Sequence, residues 1–485
     1  MEKRFTILKN ILSLQIAQIL TKIINVVFVA FAARYFGTEG FGQWSLVFLF
    51  LSFFGVLSDI GLDTLVVRDV ARNPSESGKY LKNVIGIKLI TSVVTSLMLI
   101  GFIRAAGYEN EILTLSSIAL PMLVFSTIAG TFVSVLKAHE RMELTSGIEV
   151  VFGFMPSATG VVLLWLGAGM ASILVAFVVW SGLRLVVLMW VVRKMVPVFR
   201  PEIDFSFYRK IMKDAVFFAI LGLVMMLHIR IDFFMLSKLV GDEAVGIYAA
   251  PYRILEHIAM TGILINVAMQ PTISALYVTS KERLLMVYRK MQKFFLIMAL
   301  PVFTVLILYH REITLFTFGP QYEASARPLF ILSWACALLV FTTPMRIVIL
   351  QSNLLGRFAP VVTANLLLNI ALNLLVIPRY SYVGAAWVSL NSSIIDLFIR
   401  VHFVRKVLGQ KIDYWSMLPK PFAALGGMIA CLLVLHSVWL PLRVLVSVIP
   451  YFYLLKWLGV YDREEIDKFI REPMARFLAH IRGRK

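Results

Sequence analysis

The residues of this chain with the most capacity for chemistry are lysines and arginines set inside long apolar stretches. Lys22, Lys88, Arg184, Arg230, Arg253, Arg346 and Arg400 each interrupt runs made mainly of Leu, Ile, Val, Phe, Met and Ala. A cation in hydrocarbon costs at least a few kcal/mol unless it meets water, a partner or a bound anion. Lys22 belongs to a polar series, Gln15, Gln18, Lys22 and Asn25, spaced three, four and three apart, which draws one stripe down a helix. That face must look into protein or a wet cavity. Helix packing is one use for it, and Lys22 itself reads as a cavity-lining cation. Further on, His228, Arg230 and Asp232 fall at about the same depth as Arg253, Glu256 and His257. Arg253 has Glu256 at i+3 and His257 at i+4, so local ion pairing could neutralise part of this cluster. The functional alternative is that Arg230 and Arg253 offer positive charge to an anion while Asp232 and Glu256 tune them. Arg346 is a further cationic candidate, and Asp59 or Asp63 an acidic one. Asp396 and Arg400, four apart, read as an internal pair, and Lys88 and Arg184 as peripheral cations that snorkel.

Bond-breaking chemistry has little to work with. There is no Asp-x-Asp for metal-bound nucleotide sugars, no His/Glu zinc spacing, no Gly-rich phosphate loop and no serine elbow. The two cysteines, Cys336 and Cys431, lie inside apolar runs, which excludes a disulfide framework or a thiolate metal site. No catalytic residue, metal or cofactor is expected. No ATPase motif is present either, so a driving force would come from an ion gradient (H+ or Na+), the membrane potential or consumption of the product.

The elements that must position these cations are membrane spans. With 59% hydrophobic and 15% charged residues in 485, a water-soluble globule could not hide its apolar surface. Runs long enough to cross roughly 30 Å of hydrocarbon recur about fourteen times, from near 8–34 to near 440–458. Lys and Arg concentrate in alternate loops. Of the 47, only Arg34, Arg104, Lys238, Arg311, Arg327, Arg379 and Arg443 fall in loops of the opposite side. The positive-inside rule then predicts an even span count with both termini cytoplasmic, in a multi-pass protein of the cytoplasmic (inner) membrane. The net charge of +19 follows from this topology. Because the basic residues sit in short loops between spans, nucleic-acid binding is excluded. No small-residue cleavage site precedes Arg34, so the first span is expected to stay uncleaved.

A repeat organises the spans. Phe36-Gly37-Thr38-Glu39-Gly40-Phe41-Gly42-Gln43-Trp44 returns as Val240-Gly241-Asp242-Glu243-Ala244-Val245-Gly246-Ile247-Tyr248, with Gly, Glu, Gly and an aromatic in register. Each copy links one apolar run to the next, which suits a duplicated helical bundle. The expected organisation is an N-terminal lobe of six spans (1–200), a second lobe of six (201–407) related to the first by a pseudo-two-fold axis, two further spans (408–459) and a basic amphipathic cytoplasmic tail (460–485). The fold class is therefore all-α and integral to the membrane. The repeated glycines are expected to permit tight turns rather than to bind substrate.

The order of several motifs carries a resemblance along nearly the whole chain. Arg34-Tyr35-Phe36-Gly37 through Gly42 is followed by Asp59-Ile60-Gly61-Leu62 with Arg68, Ala71 and Arg72. Next come Gly246-Ile247-Tyr248, Pro271-Thr272-Ile273-Ser274, and finally Asn369, Asn373, Pro378 and Gly384-Ala385-Ala386. In this order the chain resembles the polysaccharide (O-antigen type) flippases of the multidrug/oligosaccharidyl-lipid/polysaccharide exporter superfamily. The resemblance implies two six-helix lobes around a central cavity lined by the first, second, seventh and eighth spans, working by alternating access. It implies a membrane transporter rather than an enzyme, with a polyprenyl-diphosphate-linked oligosaccharide as cargo amid membrane lipids. Lys22, Arg230 and Arg253, with Arg346, would host the diphosphate, and Gln18, Asn25, Asp59, Asp232 and Glu256 would be cavity polar or coupling residues. Drug exporters of the superfamily typically carry an acidic residue in the first span, and this chain has none between Lys9 and Arg34. A cation-coupled exporter of small molecules is the alternative within the superfamily; a membrane polysaccharide polymerase or glycosyltransferase would need outer-loop carboxylates, where only Glu312 and Glu323 are available.

Overall fold

The computed structural model describes residues 2–196 and 204–460. The basic tail expected beyond them, the prolines Pro197 and Pro201 of the interlobe loop, and the side chains of Gln15 and His228 lie outside the described residues. The described chain is built from helices: α1 (Glu2–Asp59), α2 (Leu62–Arg72), α3 (Ser77–Ala105), α4 (Asn110–Ala138), α5 (Met142–Trp165), α6 (Met170–Arg193), α7 (Phe205–Leu239), α8 (Asp242–Thr279), α9 (Lys281–Leu308), α10 (His310–Phe318), α11 (Ala326–Leu350), α12 (Leu355–Leu408), α13 (Pro419–Val434) and α14 (Leu440–Trp457). Helix is the form that lets an isolated segment satisfy its own N–H and C=O groups where no water can. Interior prolines in α4, α5, α9, α11 and α14 do not end those helices, as is common in membranes.

Two of these helices each carry two spans. In α1 the direction changes at Gly37, whose φ of 72° and ψ of −177° belong to a region that essentially only glycine occupies. In α12 the corresponding break falls at Ser381, φ 51° and ψ −139°, a side-chain-bearing residue held in the same unfavourable quarter of the map. With α1 and α12 counted twice, α3 to α9, α11, α13 and α14 bring the membrane-length segments to the expected fourteen.

The chain divides into two compact units. The first comprises Met1–His257, Arg311–Pro328 and Leu366–Val388. Near one end of it, α2 buries Leu62, Leu65, Val66 and Val70 against Tyr80, Leu81 and Val84 of α3, Phe132 and Leu136 of α4, Leu188 and Val192 of α6 and Phe207 and Ile211 of α7. Asn83 ties α3 to the start of α7: its Oδ1 accepts from the Asp204 N–H at 3.0 Å and its carbonyl from the Tyr208 hydroxyl at 3.0 Å. Small residues let α1 and α5 approach closely. Gly153 faces Thr21 and Gly160 faces the Phe28 ring, each closer than a Cβ would allow.

The two copies of the repeated turn meet each other inside this unit. A Cβ on Gly42 would stand 1.9 Å from the Asp242 carbonyl oxygen, and a Cβ on Gly246 would stand 1.7 Å from the Thr38 carbonyl oxygen. The contact is reciprocal: the residue after the first glycine of each copy sets its carbonyl against the third glycine position of the other. Gly37 and Gly241, φ 72° and 124°, make the turns, as their sequence suggests, whereas Gly42 and Gly246 serve close approach. The segment between α10 and α11 closes over the first copy. Tyr322 is buried with its hydroxyl 2.9 Å from the Gly37 carbonyl and 3.2 Å from that of Ala33, and the Gln321 amide donates to the Ala33 and Arg34 carbonyls. In return the Arg34 guanidinium donates to the carbonyls of Phe316 and Thr317 at the end of α10.

The second unit comprises Ile258–His310, Leu329–Asn365 and Ser389–Lys485. Here α13 and α14 pack on α9 through Ile297, Ala424, Leu425, Met428, Leu432, Tyr451 and Leu455. The Tyr451 hydroxyl donates to the Ile297 carbonyl at 2.9 Å. Side-chain amides join the other helices of this unit: buried Gln292 to the Phe341 carbonyl, half-buried Asn266 to that of Thr343, and buried Asn365 to that of Ser392.

Candidate functional site

Two constellations of charge stand in the first unit. The first lies where α7 and α8 run side by side, and both of its arginines address one carboxylate. Arg230 and Arg253 each pair with Glu256, the second at 3.5 Å along its own helix. The i,i+3 pairing anticipated from spacing is present, and α7 adds a second arginine to it. Among the described residues these two guanidinium groups share one ion-pair partner, Glu256. Each side chain is about a quarter exposed, so the cluster is neither sealed nor on the open surface. The Arg253 carbonyl lies 2.6 Å from Nδ1 of His257, which fixes that ring. Two guanidinium groups around one carboxylate keep N–H donors that Glu256 alone does not use, the chemistry that charge-assisted hydrogen bonds to an anion require.

Asp232, two residues from Arg230, faces a different neighbourhood. It is buried, accepts from the Tyr248 hydroxyl at 3.0 Å and from the Asn373 amide at 2.8 Å, and Asn373 in turn donates to Asn369 at 3.0 Å. Tyr248 is the aromatic of the second repeated turn, so the duplication supplies part of this carboxylate's setting.

The polar stripe on the first span divides in two. The Asn25 Oδ1 accepts from the Ser157 hydroxyl and the Thr21 hydroxyl reaches the Val150 carbonyl, so this edge of the stripe holds α1 to α5. Gln18 and Lys22 are half-buried and make no hydrogen bond or ion pair among the described residues. Arg346 belongs to the second unit, half-buried on α11; there Arg400 pairs with Asp396 at 2.5 Å, as their spacing implies.

The second constellation corrects an expectation. Lys88 does not snorkel at a lipid-facing edge: its side chain is wholly buried, and its ammonium lies 2.7 Å from both Asp59 and Asp63 and 3.1 Å from the Thr127 carbonyl. Arg184, about a quarter exposed, is paired with Glu149 at 2.5 Å. The reason is topological. A lone lysine in an apolar run has to snorkel only if no carboxylate reaches it, and the kink after α1 delivers two. Ile60 and Gly61 both have positive φ, 51° and 75°, so Asp59 ends α1 and Asp63 sits in the first turn of α2. There Asp59 also accepts the Asp63 N–H at 3.3 Å. Gly130 of α4 leaves the room for the Asp63 carboxylate, because a Cβ there would come within 2.2 Å of it.

Asp59, Asp63 and Arg184 line a cavity of about 650 Å³ inside the first unit. Its walls also carry Phe48, Phe152, Phe177 and Trp180, with Ser52, Ser126 and Ser181 between them. Of these residues sequence reasoning singles out Asp59 and Asp63 as acidic candidates, and it reads Arg184 only as a peripheral cation. The i,i+4 placement of Asp59 and Asp63 across a Gly-containing kink, together with a buried-type lysine in need of partners, is the signal that could have found the rest. Among the described residues no group of three His, Cys, Asp or Glu could hold a metal ion.

Comparison with known proteins agrees with this architecture. Residues 7–277 match the family described as polysaccharide biosynthesis protein. A Shigella flexneri protein described as an O-antigen transporter is 21% identical over 323 residues, covering 61% of this chain and 73% of that one. Among solved structures, the lipid II flippase MurJ in an inward closed conformation superposes with a TM-score of 0.71 at 13% identity, over 96% of this chain and 100% of that one. A point mutant of the Vibrio cholerae MATE transporter VcmN gives 0.58 at 15% identity, over 84% and 98%. A Pyrococcus furiosus transporter of the MOP superfamily, described as having a binding pocket of reverse polarity, gives 0.52 at 13% identity, over 83% and 96%. The fold is that of multi-pass membrane transporters and flippases.

Proposed function

The chain belongs to the polysaccharide biosynthesis protein family, and on that premise we propose that it is a flippase, carrying a lipid-diphosphate-linked oligosaccharide across the cytoplasmic membrane by alternating access. The observation that carries the reading is the pairing of Arg230 and Arg253 on the single carboxylate of Glu256, which among the described residues leaves one more cation than ion-pair partner within these helices. An unneutralised cation is costly there, and a diphosphate group would both neutralise it and gain charge-assisted hydrogen bonds. Glu256 holds the two guanidinium groups in place until the anion arrives. Lys22, half-buried with no partner among the described residues, is a second host, and Arg346 a third. The polyprenyl tail would remain in the bilayer. H+ or Na+ is the proposed coupling ion, with Asp59 and Asp232 as the carboxylates that would take it up.

Reconstitution tests this. Vesicles holding the purified protein are loaded with a fluorescent undecaprenyl-diphosphate sugar, and an impermeant quencher reports the leaflet it occupies. Wild-type protein is expected to equilibrate the leaflets at least tenfold faster than protein-free vesicles. Arg230→Ala and Arg253→Ala each are expected to reduce that rate about tenfold or more. Glycosyl transfer without translocation would overturn the reading in favour of a polymerase or glycosyltransferase.

A second reading, a cation-coupled exporter of small organic molecules, is favoured by one observation: Asp59 and Asp63 face an aromatic-lined cavity. It predicts that Lys22→Glu leaves export intact, whereas Asp59→Asn abolishes it.

A further inference from the structure

We infer that the cavity within α1, α2 and α4 to α7 is a glycan subsite, which takes an uncharged sugar residue of the cargo while the arginine cluster takes the phosphates; the inference rests on the flippase reading. At about 650 Å³ the cavity falls within the roughly 300 to 1,000 Å³ typical of small-molecule sites. Three features of its wall select a polyhydroxylated ligand. Among the described residues its charge is close to balanced: the Lys88 ammonium is shared by Asp59 and Asp63, and Arg184 is matched by Glu149, so these five leave one negative charge over. A phosphate would find no net attraction here.

The wall is also rich in acceptors. Ser52, Ser126 and Ser181 donate their hydroxyl hydrogens to the carbonyls of Phe48, Leu123 and Val178 in their own helices, so what they can offer the cavity is oxygen lone pairs. Asp59 and Asp63 each engage Lys88 through Oδ1, and their side chains remain 27% and 31% exposed. A ligand bristling with O–H donors satisfies such a surface.

The aromatic part of the wall is pre-set. Trp180 is fixed by its indole N–H, which donates to the Thr159 hydroxyl at 3.0 Å, and by edge contact with Phe152. Phe177 is held among Phe28, Trp44 and Phe48, with ring centroids 5.4 to 6.2 Å apart. Rigid aromatic faces beside hydroxyl acceptors suit the two-sided character of a sugar ring, apolar C–H on one side and hydroxyls around the rim. A site held by locked side chains binds without having to order them first.

The test compares two probes on the purified full-length protein, undecaprenyl diphosphate and undecaprenyl diphosphate carrying one N-acetylglucosamine. The sugar-bearing lipid is expected to bind about tenfold tighter than the bare one. Trp180→Ala is expected to erase that difference while the affinity for the bare lipid holds, which also shows that the variant is folded. Trp180→Phe, which keeps an aromatic face, is expected to retain most of it. Equal affinity of the wild type for both lipids would overturn the subsite while leaving the diphosphate site standing. A Trp180→Ala variant that weakens both lipids alike would overturn it too, as would tight binding of tetraphenylphosphonium that this variant abolishes, since the cavity would then be a cation site. Binding of neither lipid would sink the flippase reading and the subsite together.

Discussion

Two lysines show what separates a charge that the packing has already matched from one with no partner among the described residues. Lys88 is wholly buried and saturated by two carboxylates and a carbonyl, so its role is to let Asp59 and Asp63 share one site. Replacing it with Met leaves two adjacent carboxylates without their cation. The expected loss is about 3 to 5 kcal/mol, visible as a large fall in thermal unfolding midpoint, and Lys88→Met combined with Asp59→Asn and Asp63→Asn is expected to recover most of it. Lys22 is half-buried and has no partner among the described residues. Lys22→Met is therefore expected to leave the unfolding midpoint within a degree or two while slowing translocation of a lipid-diphosphate sugar, and a variant that lowers stability instead would make Lys22 a packing residue. Arg230 and Arg253 lie between these cases, because Glu256 compensates only one of them.

At the level of elements, the duplication acts through contact as well as through ancestry. Gly42 and Gly246 are pressed against each other's turns, with backbone carbonyls where a Cβ would have to be. Gly42→Ala or Gly246→Ala must push two helix ends apart, and each is expected to destabilise the protein by roughly 1 to 3 kcal/mol, the usual range for overpacking a tight contact; thermal unfolding of the purified variants checks it. The two double-span helices offer the opposite experiment. Ser381 occupies a backbone region whose cost is about 1 to 3 kcal/mol for a residue with a Cβ, and Gly37 occupies the equivalent break in α1 at no such cost. Ser381→Gly is accordingly expected to raise the unfolding midpoint, and a fall would mean that the serine side chain contributes more than its backbone strain costs.

For the whole molecule, hydropathy, charge asymmetry and a repeated turn sufficed to read an all-helical, fourteen-span membrane protein, because each is local in the chain: a span is a run of residues, and a turn is a short motif. The pairing of Arg253 with Glu256 and of Arg400 with Asp396 was legible for the same reason, since helix geometry brings i+3 and i+4 together wherever the helix goes. Contacts between distant segments were not. Asp59 and Asp63 lie near Lys88 because a left-handed kink at Ile60 and Gly61 turns α2 toward α3 and α4, and Lys88 in isolation reads like any cation at a lipid edge. Asp232 sits beside Arg230 in sequence yet finds its partners on α8 and α12, because neighbours on a helix two residues apart point to different sides. The aromatic cavity gathers residues from six helices, none of which announces it alone. The sequence by itself determined which segments cross the membrane and that cations had to be accommodated within them, since solvation is a property of each segment. Tertiary structure alone decided which of those cations meet a carboxylate and which have no ion-pair partner among the described residues, since pairing depends on where distant carboxylates are carried by the packing.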